Sequence, residues 1–258
     1  MCRGGAAPGG GDTDRVKRST DASETGGTGA APAQRYAVRA ALVLTALAGA
    51  VDAAVYLSLG RVFIANQTGN GVLLALGAVT RLHPGEEANA DAVAGPAVSL
   101  LGFCLGAIAA GLLTRHAPHL WRLFVAQALL LAATAALPGP ELPRIGVVAA
   151  AMGVQSVLGL RLGVRGVTTT VVTGTLASLF SRATAAPRAH GDGDGGPGAG
   201  LFGLVWVMYV AGAALGAAGA LAWSFTVVSG CAAGVAAVLA ALAVARARGW
   251  RRHGRSRS

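Results

Sequence analysis

One acidic residue stands apart from the other ten. Asp52 is the only Asp or Glu of the eleven that lies inside an apolar run, in Val51-Asp52-Ala53-Ala54-Val55-Tyr56. A carboxylate at the centre of a membrane helix costs about 3 kcal/mol on insertion scales. It must therefore be neutralised, paired or placed in a wet cavity. Tyr56 is four residues on, shares the helix face and is expected to hydrogen-bond it. Two roles fit Asp52. It could couple a proton or cation to transport, with Tyr56 beside it. It could equally be structural, capping a broken helix or pairing with an arginine such as Arg161 or Arg165.

A dense polar cluster follows, Asn66-Gln67-Thr68-Gly69-Asn70, between two apolar stretches. Its counterpart is Thr168-Thr169-Thr170-Val171-Val172-Thr173-Gly174-Thr175. Asn, Thr and Gly are poor inside helices and good at starting them, because their side chains take up free backbone N–H groups. A helix start held at membrane depth presents N–H donors and partial positive charge. Two such starts meeting from opposite sides would suit a small anion or polar solute. The candidate binding residues are Asn66, Thr68, Gly69 and Asn70 in one cluster, and Thr170, Thr173 and Gly174 in the other. The plainer alternative is that both clusters only cap broken helices.

Other chemistry finds no support. The five histidines lie in loops and tails without metal-ligand spacing, and Cys2, Cys104 and Cys231 form no CxxC pair. No nucleophile–base set, H-E-x-x-H or P-loop is present, so neither an enzyme, a metal nor a cofactor is expected.

The elements that must position these residues are membrane helices. Hydrophobic residues make up 53% of the 258 and charged residues only 12%, about half the charged share of a soluble domain. The expected fold is an all-α membrane protein. Apolar runs lie at 40–59, 62–80, 93–113, 120–137, 145–161, 166–181, 201–222 and 223–245. A helix needs about 20 residues to span a bilayer core.

The net charge of +10 does not indicate nucleic acid. The basic residues gather in the tails and at the ends of apolar runs, with six Arg between Arg246 and Ser258. That is the cytoplasmic flank of a membrane protein. Basic loops prefer the inside, and the acidic loop with Glu86, Glu87 and Asp91 suits the outside. Eight crossings would put the Arg115 loop outside and the acidic loop inside; six satisfy these preferences, with Arg61 alone badly placed, if 62–80 and 166–181 are re-entrant, entering and leaving on one side. Re-entrant backbone requires surrounding protein or a water-filled cavity. Residues 1–35 read as a disordered cytoplasmic tail, 36–246 as the membrane domain and 247–258 as an Arg-rich cytoplasmic tail. No cleavable leader is expected, so the first apolar run would act as the insertion signal.

The membrane domain divides into halves, about 40–137 and 145–245. Thr68-Gly69 matches Thr173-Gly174, and Leu59-Gly60 matches Leu162-Gly163. The GxxxG pair Gly102/Gly106 matches Gly212/Gly216. Three crossings per half invert one half relative to the other, a transporter plan with its site near the midplane. Gln155 and Ser156 fall near the position equivalent to Asp52, so the acid is not duplicated. The GxxxG pairs are expected to pack helices, within the chain or between copies in a homo-oligomer.

Val51-Asp52-Ala53, Tyr56-Leu57 and Leu59-Gly60, followed by Val62-Phe63, Ala65-Asn66, Thr68-Gly69-Asn70 and Val72-Leu73-Leu74, resemble the YoaK-like family of bacterial membrane proteins. Ala149 to Ser181 resembles that family's second half, and the likeness runs over roughly residues 36–246. It implies a multi-spanning bacterial inner-membrane protein of about six helices. The family's function is unknown, so the resemblance implies no substrate or reaction. The expectation from the residues is a small-solute transporter or permease in the lipid bilayer of the plasma membrane, with both termini cytoplasmic. The alternative is a non-transporting scaffold or partner subunit.

Overall fold

The computed structural model describes residues 27–82, 91–116, 119–164, 180 and 199–255. The described residues form seven helices. They are α1 Gly27–Ser58, α2 Gln67–Thr80, α3 Asp91–His116, α4 Leu120–Ala136, α5 Glu141–Leu162, α6 Ala199–Ala222 and α7 Phe225–Arg255. Of these, α1, α3, α5, α6 and α7 are long and apolar enough to cross a membrane, and α4 is a shorter apolar helix. Helix α1 begins inside the stretch read as tail, and α7 continues through the Arg-rich end. Ala and Arg are both strong helix formers, so neither stretch stops a helix already under way.

Local chemistry sets the helix ends. Pro138-Gly139-Pro140 separates α4 from α5, with Gly139 at φ 105°. Glu141 in the first turn of α5 and Arg161 in its last turn complement the helix dipole. Gly163 closes α5 in the left-handed conformation at φ 69°, and Gly60 follows α1 in the same way at φ 81°. These are the two Leu-Gly positions matched between the halves.

The buried side chains fix the directions. One core cluster holds Ala54, Val55 and Leu59 of the α1 end, Leu131 of α4, and Ile145 and Phe225 near the starts of α5 and α7. The other holds Ala40 and Leu44 of α1, Ala110 of α3, Leu123 and Phe124 of α4, Leu158 of α5, Phe202 of α6 and Leu239 of α7. Helices α1, α4 and α6 therefore run from the second cluster toward the first. Helices α3, α5 and α7 run back. The start of α1 and the end of α7 lie at the same end of the bundle, where the Arg246 guanidinium stacks 4.7 Å over the Tyr36 ring. In chain order α1, α3 and α4 alternate, and α5, α6 and α7 alternate in the opposite sense.

Small residues set the closest helix pairs. Helix α6 packs on α1, and α3 packs on α5. A Cβ at Gly212 or Gly216 would overlap the carbonyls of Ala46 and Ala50 on α1. A Cβ at Gly106 would overlap the Ala150 carbonyl on α5. Both GxxxG faces are thus occupied within the chain, that of α6 against α1 and that of α3 against α5. Backbones this close gain dispersion contacts that larger side chains would prevent. Large apolar side chains on the outer faces, such as Leu105, Ile108, Leu215 and Val238, are more than half exposed and suit contact with lipid.

Candidate functional site: the break between α1 and α2

After Ser58 the chain leaves the helix, and it resumes helical form only at Gln67. Gly60 and Arg61 both take left-handed φ, 81° and 57°. This turns the strand of backbone back along α1 instead of onward. Val62, Ile64 and Ala65 are buried in the core. The backbone N–H groups of Ile64 and Ala65 donate to Asp52 Oδ1 at 2.6 and 2.7 Å. Asp52 is six residues before the end of α1, so the returning chain reaches about 9 Å back down that helix.

Helix α2 then runs outward again. Asn66 is its N-cap, with Oδ1 accepting from the Gly69 N–H at 3.4 Å. Asn70 lies beside Ser99, eight residues into α3, and donates to its hydroxyl at 2.9 Å. One end of the bundle carries Arg61, Thr80, Ala92 and Glu141 around a single cavity. The chain therefore dips in and comes out at the same end, as a re-entrant segment does.

The polar cluster holds this dip in place. The Phe63 N–H donates to Asn70 Oδ1 at 2.9 Å, and Asn70 Nδ2 donates back to the Phe63 carbonyl. One side-chain amide thus replaces the backbone partners that Phe63 lost on leaving the helix. The Ser99 hydroxyl donates to the same carbonyl at 2.8 Å. Gln67 Nε2 donates to the Ile64 carbonyl at 2.6 Å, and the exposed Thr68 hydroxyl donates to Asn66 Oδ1 at 2.8 Å. Gly69 leaves room for the Phe63 ring, whose nearest atom would be 2.9 Å from an added Cβ. Asn66, Thr68, Gly69 and Asn70 lie together at the start of α2. Asn70 is fully buried, with its amide engaged by protein groups. Thr170, Thr173 and Gly174 lie outside the described residues.

The partners of Asp52 differ from expectation. Its second oxygen, Oδ2, accepts from the Tyr209 hydroxyl of α6 at 2.7 Å. Tyr56 instead stacks on Phe63, with ring centroids 5.2 Å apart, and is 37% exposed. The reason is the fold-back: it lays backbone donors over Asp52 and draws Tyr56 to the Phe63 ring. Arg161 does not reach Asp52 either, and donates to Thr114 Oγ1 at 3.0 Å. Asp52, only 3% exposed, is held by two N–H groups and a hydroxyl. Tyr209 and Ser99 carried no sequence signal, being isolated polar residues within long apolar stretches. Gln155 is fully buried too, but it donates to the Leu44 carbonyl at 2.9 Å and accepts from Gln127 at 2.6 Å. Among the described residues no cluster of three His, Cys, Asp or Glu could hold a metal ion.

Residues 40–245 match the family described as "Protein of unknown function (DUF1275)". The chain belongs to the DUF1275 family. It is similar to the UPF0700 transmembrane protein YoaK of Bacillus subtilis (strain 168), with 38% identity over 163 residues, covering 58% of this chain and 68% of that protein. No solved structure matches the chain at a significant level. The family span includes the whole α1 break and α2, so the geometry around Asp52 lies within the DUF1275 region. The chain is a multi-pass, all-helical membrane protein of this family.

Proposed function

We propose that this DUF1275 protein is a small-solute permease of the plasma membrane, gated at the break between α1 and α2. One observation carries the reading. The Asp52 carboxylate ties the re-entrant backbone of the first half to Tyr209 of the second half. A group whose charge can be neutralised by a proton therefore sits on the joint between the halves. Protonating it would weaken its hold on Ile64 and Ala65 and free the dip to move.

An inverted duplication supports the same reading. The left-handed Gly60 and Gly163, the opposite helix directions and the crossed glycine packing of α1 with α6 and α3 with α5 all suit it. The alternating helix directions and the positive-inside preference support six crossings with both termini cytoplasmic. The solute is small and polar or anionic, and no catalytic step is involved.

A scaffold role is the second reading, favoured by the full engagement of Asn70 inside the protein. Transport decides between them. Purified protein in vesicles would be offered labelled amino acids, small carboxylates and phosphate under an imposed pH gradient. The permease reading expects uptake of at least one solute, lost in Asp52→Asn at unchanged membrane yield. Asn keeps an oxygen for the two N–H donors, so the fold should survive. Full uptake by Asp52→Asn removes the coupling role, and no uptake by folded wild-type protein across the panel removes the permease reading.

A further inference from the structure

The cavity at the break end of the bundle has a volume of about 700 Å³ and is bounded by the α1 end, α2, and the starts of α3 and α5. That is the size of a small-molecule site. Its walls mix polar and apolar surface, and Leu57, Val62, Leu73, Leu76 and Pro96 form the apolar part. Two opposite charges also line it, Arg61 and Glu141.

Several independent features single out this pair. Arg61 holds a left-handed φ of 57°, a conformation that costs a side-chain-bearing residue roughly 1–2 kcal/mol. Glycine would fit the turn better, so the turn alone does not call for arginine. An arginine at the outer end also runs against the positive-inside preference. Glu141 Oε2 lies 3.6 Å from where a Cβ of Gly60 would stand, so its carboxylate faces the same turn. Both charges line one cavity, yet no ion pair joins them, and neither has a hydrogen-bond partner among the described residues. Strain held beside an open cavity marks a place where the backbone serves a ligand.

We propose that this cavity binds a small zwitterion with an apolar body, its carboxylate on Arg61 and its ammonium on Glu141. The aliphatic part of the wall takes the body, and opposite charges on the rim of one cavity favour a molecule carrying both. The site deepens the permease reading and rests on it for the passage of the solute, though not for its binding. Occupancy would brace the Gly60–Arg61 turn that leads directly into the segment latched by Asp52.

The test is titration of the purified full chain in detergent with L-leucine, 4-methylpentanoate and 3-methylbutylamine. The last two lack the ammonium and the carboxylate of leucine respectively. Saturable leucine binding is expected, with each single-charge analogue weaker by about 10-fold or more. Arg61→Gly, which keeps the left-handed turn, should abolish the preference for leucine over the amine. Glu141→Gln should abolish the preference over the carboxylate. Absence of saturable binding, equal binding of leucine and either analogue, or indifference to either cavity variant overturns the proposal. A protein that binds leucine but moves no solute keeps this site and loses the permease reading.

Discussion

Asp52 on α1 and Tyr209 on α6 are 157 residues apart in the chain and share a hydrogen bond of 2.7 Å. The same carboxylate receives two backbone N–H groups of the break through its other oxygen. It therefore holds three buried or half-buried donors from two parts of the fold. Removing the acceptor leaves each donor unmatched, which costs about 1–3 kcal/mol per group in a buried setting. Asp52→Ala is expected to lower the melting temperature in detergent and the membrane yield sharply. Asp52→Asn should stay close to wild type in both. Thermal unfolding of the two variants side by side checks this, and equal loss in both would mean that the charge itself holds the fold.

The Asn70 amide predicts a second, local effect. It pairs with both backbone groups of Phe63 and with Ser99. Asn70→Ala strips the N–H and C=O of Phe63 of a partner, whereas Asn66→Ala removes a helix cap worth about 1 kcal/mol and the acceptor of the exposed Thr68 hydroxyl. Asn70→Ala should be the more damaging of the two. It should also raise hydrogen exchange at Phe63 and Ile64 well before the rest of α1. Uniform protection in that variant would show that the dip is held by packing alone.

Much of this arrangement was legible beforehand, for identifiable physical reasons. Long apolar runs mark the helices because a span needs its whole length to be apolar. The break was visible because Asn66 and Gly69 suit a helix start and sit badly inside one. Gly60 and Gly163 follow the ends of two apolar runs, where a left-handed glycine commonly stops a helix, and both are left-handed. The partner of Asp52 was not legible. A spacing of four residues favours Tyr56 only while the helix neighbours are the nearest groups, and the fold-back puts backbone there instead. Tyr209 lies on a helix whose other side chains carry no pattern pointing to α1. Which helix each GxxxG face would meet was equally hidden, since glycine spacing names a contact surface and not its partner.

The glycine contacts give a sharp pair of outcomes. A Cβ at Gly106 would run into the Ala150 carbonyl, while nothing lies within 4 Å of a Cβ at Gly111 on the same helix. Gly106→Ala must push α3 from α5, and backbone cannot swing aside as a side chain can. It should destabilise by about 1–3 kcal/mol, in the range of overpacked cores. Gly111→Ala should be neutral or slightly stabilising, because alanine is the better helix former. Thermal melts of both variants, with Gly216→Ala as the equivalent test on α6, would show whether the two crossed pairs matter equally.

The direction of the dip is open to chemical labelling. Thr80 and Glu141 line the cavity at one end of the bundle, and His119 and Ala247 line cavities at the other. In a background without native cysteines, single cysteines at Thr80 and Glu141 should react with an impermeant maleimide from one face of the membrane. Cysteines at His119 and Ala247 should react only from the opposite face. Replacing Cys104 and Cys231 for this purpose should be mild, because both are exposed on the helix surface. If Thr80 and Glu141 label from different faces, α2 crosses the membrane and the chain does not dip. Asp52 would then have to meet Ile64 and Ala65 in some other way, and the latch between the halves would fall with the re-entrant segment.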